Sequence, residues 1–176
     1  MGIFMKQANL FGEIFVNPID VVYTPDDVAM DIVDHFKPYG KCLDPCRGDG
    51  AFYKYLPKGS LWCEAKEGKD FFDFNSSVDW IVSNPPYSVF ADFLYHSFEI
   101  AENIVYLIPV NKPFNGFKTM RKIYEYGGIA EIYMVGPGSW LNFPIGFAIG
   151  AVHFKRNYKG RIGITFRHNP KLKTHN

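Results

Sequence analysis

Asn84-Pro85-Pro86-Tyr87 places an amide side chain, two residues without N–H donors and an aromatic ring in four consecutive positions. The prolines fix two φ angles and remove two donors, so the segment is stiff and its carbonyls are acceptors. Asn84 adds a side-chain acceptor and Tyr87 an aromatic face. An acceptor, a rigid carbonyl and a stacking ring suit the grip of a planar base that carries an exocyclic amine. The apolar run Val78-Asp79-Trp80-Ile81-Val82 leads into the segment and a helix-like pattern follows it. It therefore belongs on the loop leaving the carboxyl end of a strand, the edge where ligands bind in open α/β sheets. The plainer alternative is a proline-rich turn that ends a strand.

A second constellation lies upstream. Lys41-Cys42-Leu43-Asp44 reads as a short buried strand running into Pro45-Cys46-Arg47-Gly48-Asp49-Gly50-Ala51-Phe52, a glycine-bearing turn with a short helix to Pro57. Gly48 and Gly50 permit positive φ and a close approach of backbone to a ligand, and Asp44 sits where a ligand amine can be paired. A lone G-x-G is weak evidence. Here a second strand follows, Leu61-Trp62-Cys63-Glu64, ending in an acid about twenty residues on, the arrangement in which such an acid accepts ribose hydroxyls. In Gly68-Lys69-Asp70-Phe71-Phe72, Asp70 offers an acceptor for an adenine amino group and Phe71 or Phe72 an apolar face; a turn with two core phenylalanines is the equal alternative.

The elements that must position these groups are legible in the periodicity. Thr24 is a good N-cap, Pro25 fits the first helical position, and Asp26 and Asp27 complement the dipole of the first turn. Val28, Ile32 and Phe36 form one apolar face that ends before Pro38. Phe90, Phe93, Leu94, Phe98 and Ile100 predict a helix to about Ala101, and Lys118 to Tyr126 a helix stopped by Gly127-Gly128. Strands are expected at 78–82, 103–110, 129–135 and 147–156, the last two as an antiparallel pair closing the sheet, with a short edge strand within 160–167. Residues 1–22 are aromatic without a clean period and read as an arm packing on the domain.

At 176 residues the chain suits one α/β domain, 1–176, with no linker, repeat or low-complexity block. No apolar run reaches the ~20 residues of a membrane span, and Met1-Gly2-Ile3-Phe4-Met5-Lys6 has no signal-peptide pattern. Cys42, Cys46 and Cys63 form no C-x-x-C pair, which predicts reduced core thiols in a cytoplasmic protein, not a zinc or redox site. The net charge of +1 is unevenly spread: His153 to Asn176 carries seven Lys and Arg residues and no acid. Such a basic tail, 157–176, suggests a polyanion partner as readily as a solvated terminus.

Tyr23-Thr24-Pro25, Asp44 to Phe52, Glu64, Asp70-Phe71-Phe72 and Asn84 to Tyr87 together resemble the Rossmann-like S-adenosylmethionine-dependent methyltransferases, and within them the DNA N6-adenine methyltransferases. The resemblance covers about residues 20 to 155. It implies an α/β fold with a mostly parallel seven-stranded sheet, one antiparallel strand and helices on both faces. It implies S-adenosylmethionine as cofactor. Tyr23, Thr24 and Pro25 would lie at its methionine end and Asp44, Pro45, Cys46, Gly48, Gly50 and Phe52 in the turn that holds methionine and ribose. Glu64 would take the ribose hydroxyls, with Glu67 the competing choice, and Asp70 and Phe71 the adenine. Asn84, at the edge of the cofactor site, would be catalytic with Pro85, Pro86 and Tyr87.

An exocyclic adenine amine is a poor nucleophile because its lone pair is delocalised into the ring. Accepting both its hydrogens, at the Asn84 side-chain oxygen and the Pro85 carbonyl, favours a pyramidal nitrogen. The base must leave its stack, at a cost of a few kcal/mol, and stacking on Tyr87, with Phe90 or Phe143 as a second face, returns roughly 1–3 kcal/mol. The chain has no segment large enough for a separate target-recognition domain. Selectivity is therefore expected to be low, or supplied by a partner or second copy as in a restriction-modification system, or unneeded because the target presents its base unpaired. Lys112, Lys118, Arg121, Trp140, Lys155 and Arg156 are the candidates for nucleic-acid contact. The rival expectations are methyl transfer to RNA or a protein glutamine, a non-catalytic subunit of a larger complex, and a dehydrogenase, which would leave Asn84 to Tyr87 without a role.

Overall fold

The computed structural model describes residues 23–141 and 147–168. Seven strands form one sheet: β1 (Cys42–Asp44), β2 (Leu61–Trp62), β3 (Val78–Ser83), β4 (Ala101–Pro109), β5 (Gly127–Pro137), β6 (Ala148–Arg156) and β7 (Gly163–Phe166). Their order is β2-β1-β3-β4-β6-β5-β7. The β1–β2, β1–β3, β3–β4 and β5–β7 pairs are parallel, and β6 alone runs antiparallel, against both β4 and β5. The sheet is thus the mostly parallel one with a single antiparallel strand that the sequence implies.

Side chains sort to the two faces with the period of two that a pleated strand imposes. In β4, Ile104, Tyr106 and Ile108 pack under α2 (Phe90–Ile100) and α3 (Phe117–Tyr126), against Phe93, Leu94 and Ile123. Val105 and Leu107 face the other way, under α1 (Asp26–Phe36), against Val28, Ala29 and Ile32. Burying each such aliphatic side chain stabilises the fold by about 1.5–3 kcal/mol, so the layers hold the strand ends in fixed register. Among the described residues no helix is long and apolar enough to cross a membrane.

One expectation is corrected. Thr24 does not cap α1: the helix starts at Asp26, and the Pro25 carbonyl accepts the Val28 and Ala29 N–H groups at 3.1 Å each. The Thr24 hydroxyl is drawn instead to the side chain of Asn84. The β5–β6 pair is antiparallel as expected, with β6 inserted between β4 and β5, and β7 is the edge strand expected within 160–167.

The basic tail, as far as it is described, is not a loose arm. Lys159 Nζ bonds the carbonyls of Tyr124 and Gly127, the latter at 3.0 Å, answering orphan acceptors at the end of α3. Arg167 clamps β7 to α1 through Asp31 at 2.6 Å and Asp27 at 2.9 Å, and this guanidinium holds the Asp27 carboxyl below its usual range. The arm expected over 1–22, Phe143 and the end of the tail, 169–176, lie outside the described residues.

Candidate active site at the carboxyl edge of the parallel strands

β1, β2 and β3 run side by side, and all three end at one edge, so Asp44, Glu64 and Ser83-Asn84 emerge together. Asp44, the last residue of β1, is 1% exposed. Its Oδ1 accepts from Ser83 Oγ at 2.6 Å and from the Cys46 N–H at 3.3 Å. Its Oδ2 is buried and has no hydrogen-bond partner among the described residues. Burial pushes this carboxyl up to about 7, with the Ser83 and Cys46 hydrogen bonds pulling the other way. A buried acceptor with one unanswered oxygen suits a ligand's cationic amine.

The turn after Asp44 closes where the Gly50 N–H bonds the Arg47 carbonyl at 2.8 Å. Gly48 and Gly50 adopt φ of 54° and 89°, the left-handed region that glycine enters without a Cβ penalty. A Cβ at Gly48 would sit 3.9 Å from the Tyr23 ring, while one at Gly50 would meet nothing within 4 Å. Gly50 is therefore required for its conformation and leaves room for a ligand. Glu64 Oε2 accepts the Gly48 N–H at 2.9 Å and so joins the end of β2 to the turn. Glu67 is instead paired with Arg47, whose guanidinium lies 4.0 Å over the Trp62 ring.

Asn84 follows β3 directly, and its Nδ2 donates to Thr24 Oγ1 at 3.2 Å. Pro85 is buried, while Pro86 and Tyr87 are half-buried. The Tyr87 ring packs against both layers of the core, and Lys112 Nζ donates to the Tyr87 carbonyl at 2.9 Å. The structure therefore joins Tyr23, Thr24, Asp44, Cys46, Gly48, Glu64 and Asn84 in one chain of contacts, with Pro25 and Pro45 as their immediate neighbours. Ser83 and the hydroxyl of Thr24 are the links that sequence reading missed. Ser83 carried one signal, a polar residue ending an otherwise apolar strand.

Other expected residues are placed elsewhere. Phe71 is 2% exposed and stacks on Phe93 with centroids 5.0 Å apart, so its ring belongs to the core. Phe72 is the partly exposed ring beside Asp70, whose Oδ1 accepts the Phe72 N–H at 2.9 Å. Phe52 is buried beneath α1, because its ring points inward from the turn. The Cys46 thiol is raised well above its ordinary range by burial. Among the nucleic-acid candidates, Lys118 and Arg121 lie exposed on α3, and Lys112 supports the Tyr87 loop. Trp140 falls in the turn Gly138–Leu141, and its side chain lies outside the described set. Lys155 and Arg156 are carried to the opposite edge, because β6 is antiparallel and Lys155 pairs with Asn103 at the start of β4. Arg156 there donates to the carbonyls of Phe98 at 2.6 Å and Ala101 at 2.8 Å, and pairs with Glu102.

No protein-family model and no curated protein matches the chain. Solved structures do, and the architecture is that of the Rossmann-like methyltransferases. A protein from Listeria monocytogenes assigned to the class I S-adenosylmethionine-dependent methyltransferases superposes with a TM-score of 0.65 at 12% identity, over 90% of this chain and 70% of that one. The methyltransferase subunit of a type I restriction-modification system from Streptococcus thermophilus superposes with a TM-score of 0.60 at 14% identity, over 82% of this chain. A Pyrococcus horikoshii protein assigned as an RNA methyltransferase gives 0.53 at 17% identity, over 77% of this chain and 83% of that one. The chain spans 47% of the Streptococcus subunit's length.

Proposed function

We propose that the protein binds S-adenosylmethionine at the Asp44–Gly50 turn and directs its methyl group to the N6 amine of an unstacked adenine in DNA. The observation that carries this reading is the run of hydrogen bonds from Asp44 through Ser83 to the strand end that launches Asn84, which Thr24 then orients. It couples a pocket for a cationic amine to an amide positioned to accept from another amine.

The residues present fit this cofactor. Asp44 Oδ2 is a buried acceptor awaiting a cation, the Gly50 backbone leaves open space, and Glu64 stands at the end of β2 where an acid meets ribose hydroxyls. Asp70 and the half-buried Phe72 flank the position of the adenine. When bound, S-adenosylmethionine supplies an electrophilic methyl group on a positively charged sulfur. Asn84 Oδ1 and the Pro85 carbonyl accept both hydrogens of the target amine and localise its lone pair. Tyr87 stacks on the base, and Thr24 fixes which way the Asn84 amide points. The corner contains no base, and none is needed, because a methylated cationic amine is acidic enough to lose its proton to water.

Target selection comes from a partner subunit or second copy, in keeping with a catalytic chain of restriction-modification type working in the cytoplasm. The test is transfer of a tritiated methyl group to duplex DNA, single strands, RNA and protein in parallel, followed by nucleoside analysis. Label on N6-methyladenine from DNA is expected. Label confined to RNA or protein moves the acceptor assignment, and failure to bind S-adenosylmethionine in calorimetry overturns the reading.

A further inference from the structure

The inward face of α3 is complete: Thr119, Ile123 and Tyr126 fill its contact with the sheet. Its outward face is nonetheless apolar. Phe117 is 80% exposed, Met120 48% and Tyr124 70%, at the i, i+3, i+7 spacing of one helical stripe, and Phe114 in the preceding turn is 46% exposed. Lys159 Nζ lies 3.8 Å over one face of the Tyr124 ring, and exposed rings gathered on one face mark an interaction site. From Val110 to Tyr124 the chain carries Lys112, Lys118, Arg121 and Lys122 and no acid. The first acid, Glu125, is tied to Arg121 at 2.7 Å and Lys122 at 3.6 Å in exposed pairs, which water and salt weaken and a phosphate can replace.

We propose that this face is a track for an unpaired nucleic-acid strand. Rings interleaved with cations match a chain in which bases alternate with phosphates. The core of a protein–protein interface is depleted in charge, whereas here Lys and Arg are interspersed with the rings along the chain, and Lys159 lies over the Tyr124 ring. A duplex keeps its base faces stacked, so it offers these rings nothing to stack on. The placement also fits, because the Lys112–Phe114 turn leaves β4 at the same sheet edge as the Asn84 loop, and Lys112 holds the Tyr87 carbonyl. A strand lying on α3 is led to the corner where an amine would be gripped. The inference rests on the nucleic-acid reading of the substrate and deepens it to single strands.

The experiment compares a short fluorescein-labelled single strand with the same sequence as a hairpin duplex, by anisotropy across a salt series. The single strand is expected to bind more tightly. Phe117→Ala should weaken its binding roughly tenfold to a hundredfold, and Phe117→Tyr should retain it. Lys118→Ala with Arg121→Ala should flatten the slope of log K against log salt by about 1.4. Cofactor affinity and thermal midpoint, which a folding defect would disturb, should stay unchanged in Phe117→Ala. Equal single-strand affinity in Phe117→Ala and wild type overturns the track, as does loss of self-association in that variant without loss of strand binding. Ring-dependent strand binding by a protein that methylates nothing leaves the track standing and removes the enzyme reading instead.

Discussion

Ser83 Oγ donates a 2.6 Å hydrogen bond to Asp44 Oδ1, linking the last residue of β3 to the last residue of β1. Both groups are almost wholly buried, so the bond operates without competition from water. It ties the acid at the glycine turn to the strand that carries Asn84. Ser83→Ala leaves Asp44 Oδ1 with only the longer bond from the Cys46 N–H, at a cost of about 1–3 kcal/mol of stability. The Asp44 carboxyl then rises further above its ordinary range. Calorimetry of S-adenosylmethionine binding across pH is the measurement: the rise in affinity with pH should move to higher pH in the variant. An unmoved profile would mean that Ser83 only fills space.

Asp44 itself should make the protein less stable as the medium becomes less acidic. Burial lifts its folded-state value to about 7 from 3.8, so between those values the folded chain holds a proton that the unfolded chain has released. Stability therefore falls as pH rises through that window, by up to about 1.4 kcal/mol per pH unit. Asp44→Asn removes the titration and keeps an oxygen for Ser83. The variant is expected to gain in thermal midpoint relative to wild type as pH rises from 5 to 8, while losing cofactor affinity. A constant difference across that range would show that Asp44 is ionised in the folded protein throughout.

Much of this was legible in the sequence because its signals are local. The apolar runs of β3 and β4, the proline pair after Ser83 and the glycines at 48 and 50 each need only their neighbours to be understood. What was not legible depends on pairing between distant segments. Nothing near Thr24 says that its hydroxyl turns from the helix start to Asn84, 60 residues away. Phe71 and Phe72 are adjacent rings of the same type, both in contact with Phe93, and only the depth of tertiary burial makes Phe71 core and leaves Phe72 half-buried. Lys155 and Arg156 read as candidates for nucleic-acid contact until the antiparallel course of β6 against β4 takes them to the far edge.

Thr24 and Asn84 form the second testable pair. Asn84→Ala removes the acceptor for the target amine, and turnover should fall by about 10²–10³ while cofactor affinity stays within a few fold. Thr24→Val keeps the shape and buried position of Thr24 but deletes the oxygen that receives Nδ2. The amide then loses its fixed orientation, and turnover should drop roughly tenfold to a hundredfold, as small misplacements of reacting groups do. Single-turnover methyl transfer at saturating cofactor separates this from a binding defect. If Thr24→Val turned over at the wild-type rate, the hydrogen bond would have no part in positioning Asn84.

Glu64 and Glu67 present the choice of ribose ligand, and their surroundings separate them. Glu64 already accepts the Gly48 N–H at 2.9 Å and so lies against the turn that would hold the cofactor. Glu67 is 46% exposed and held by Arg47. Removing the charge in Glu64→Gln should raise the dissociation constant for S-adenosylmethionine about tenfold to a hundredfold, the range for hydrogen bonds to a charged group. Glu67→Gln should change it by less than about threefold, since exposed pairs of this kind contribute about 0–1 kcal/mol. Calorimetry with S-adenosylmethionine and with its 2′,3′-dideoxyribose analogue completes the cycle. Against the analogue the Glu64→Gln penalty should vanish, because no hydroxyl remains for the carboxylate to bind. A penalty that survives the loss of both hydroxyls would place the role of Glu64 in shaping the Gly48 turn and not in holding the sugar.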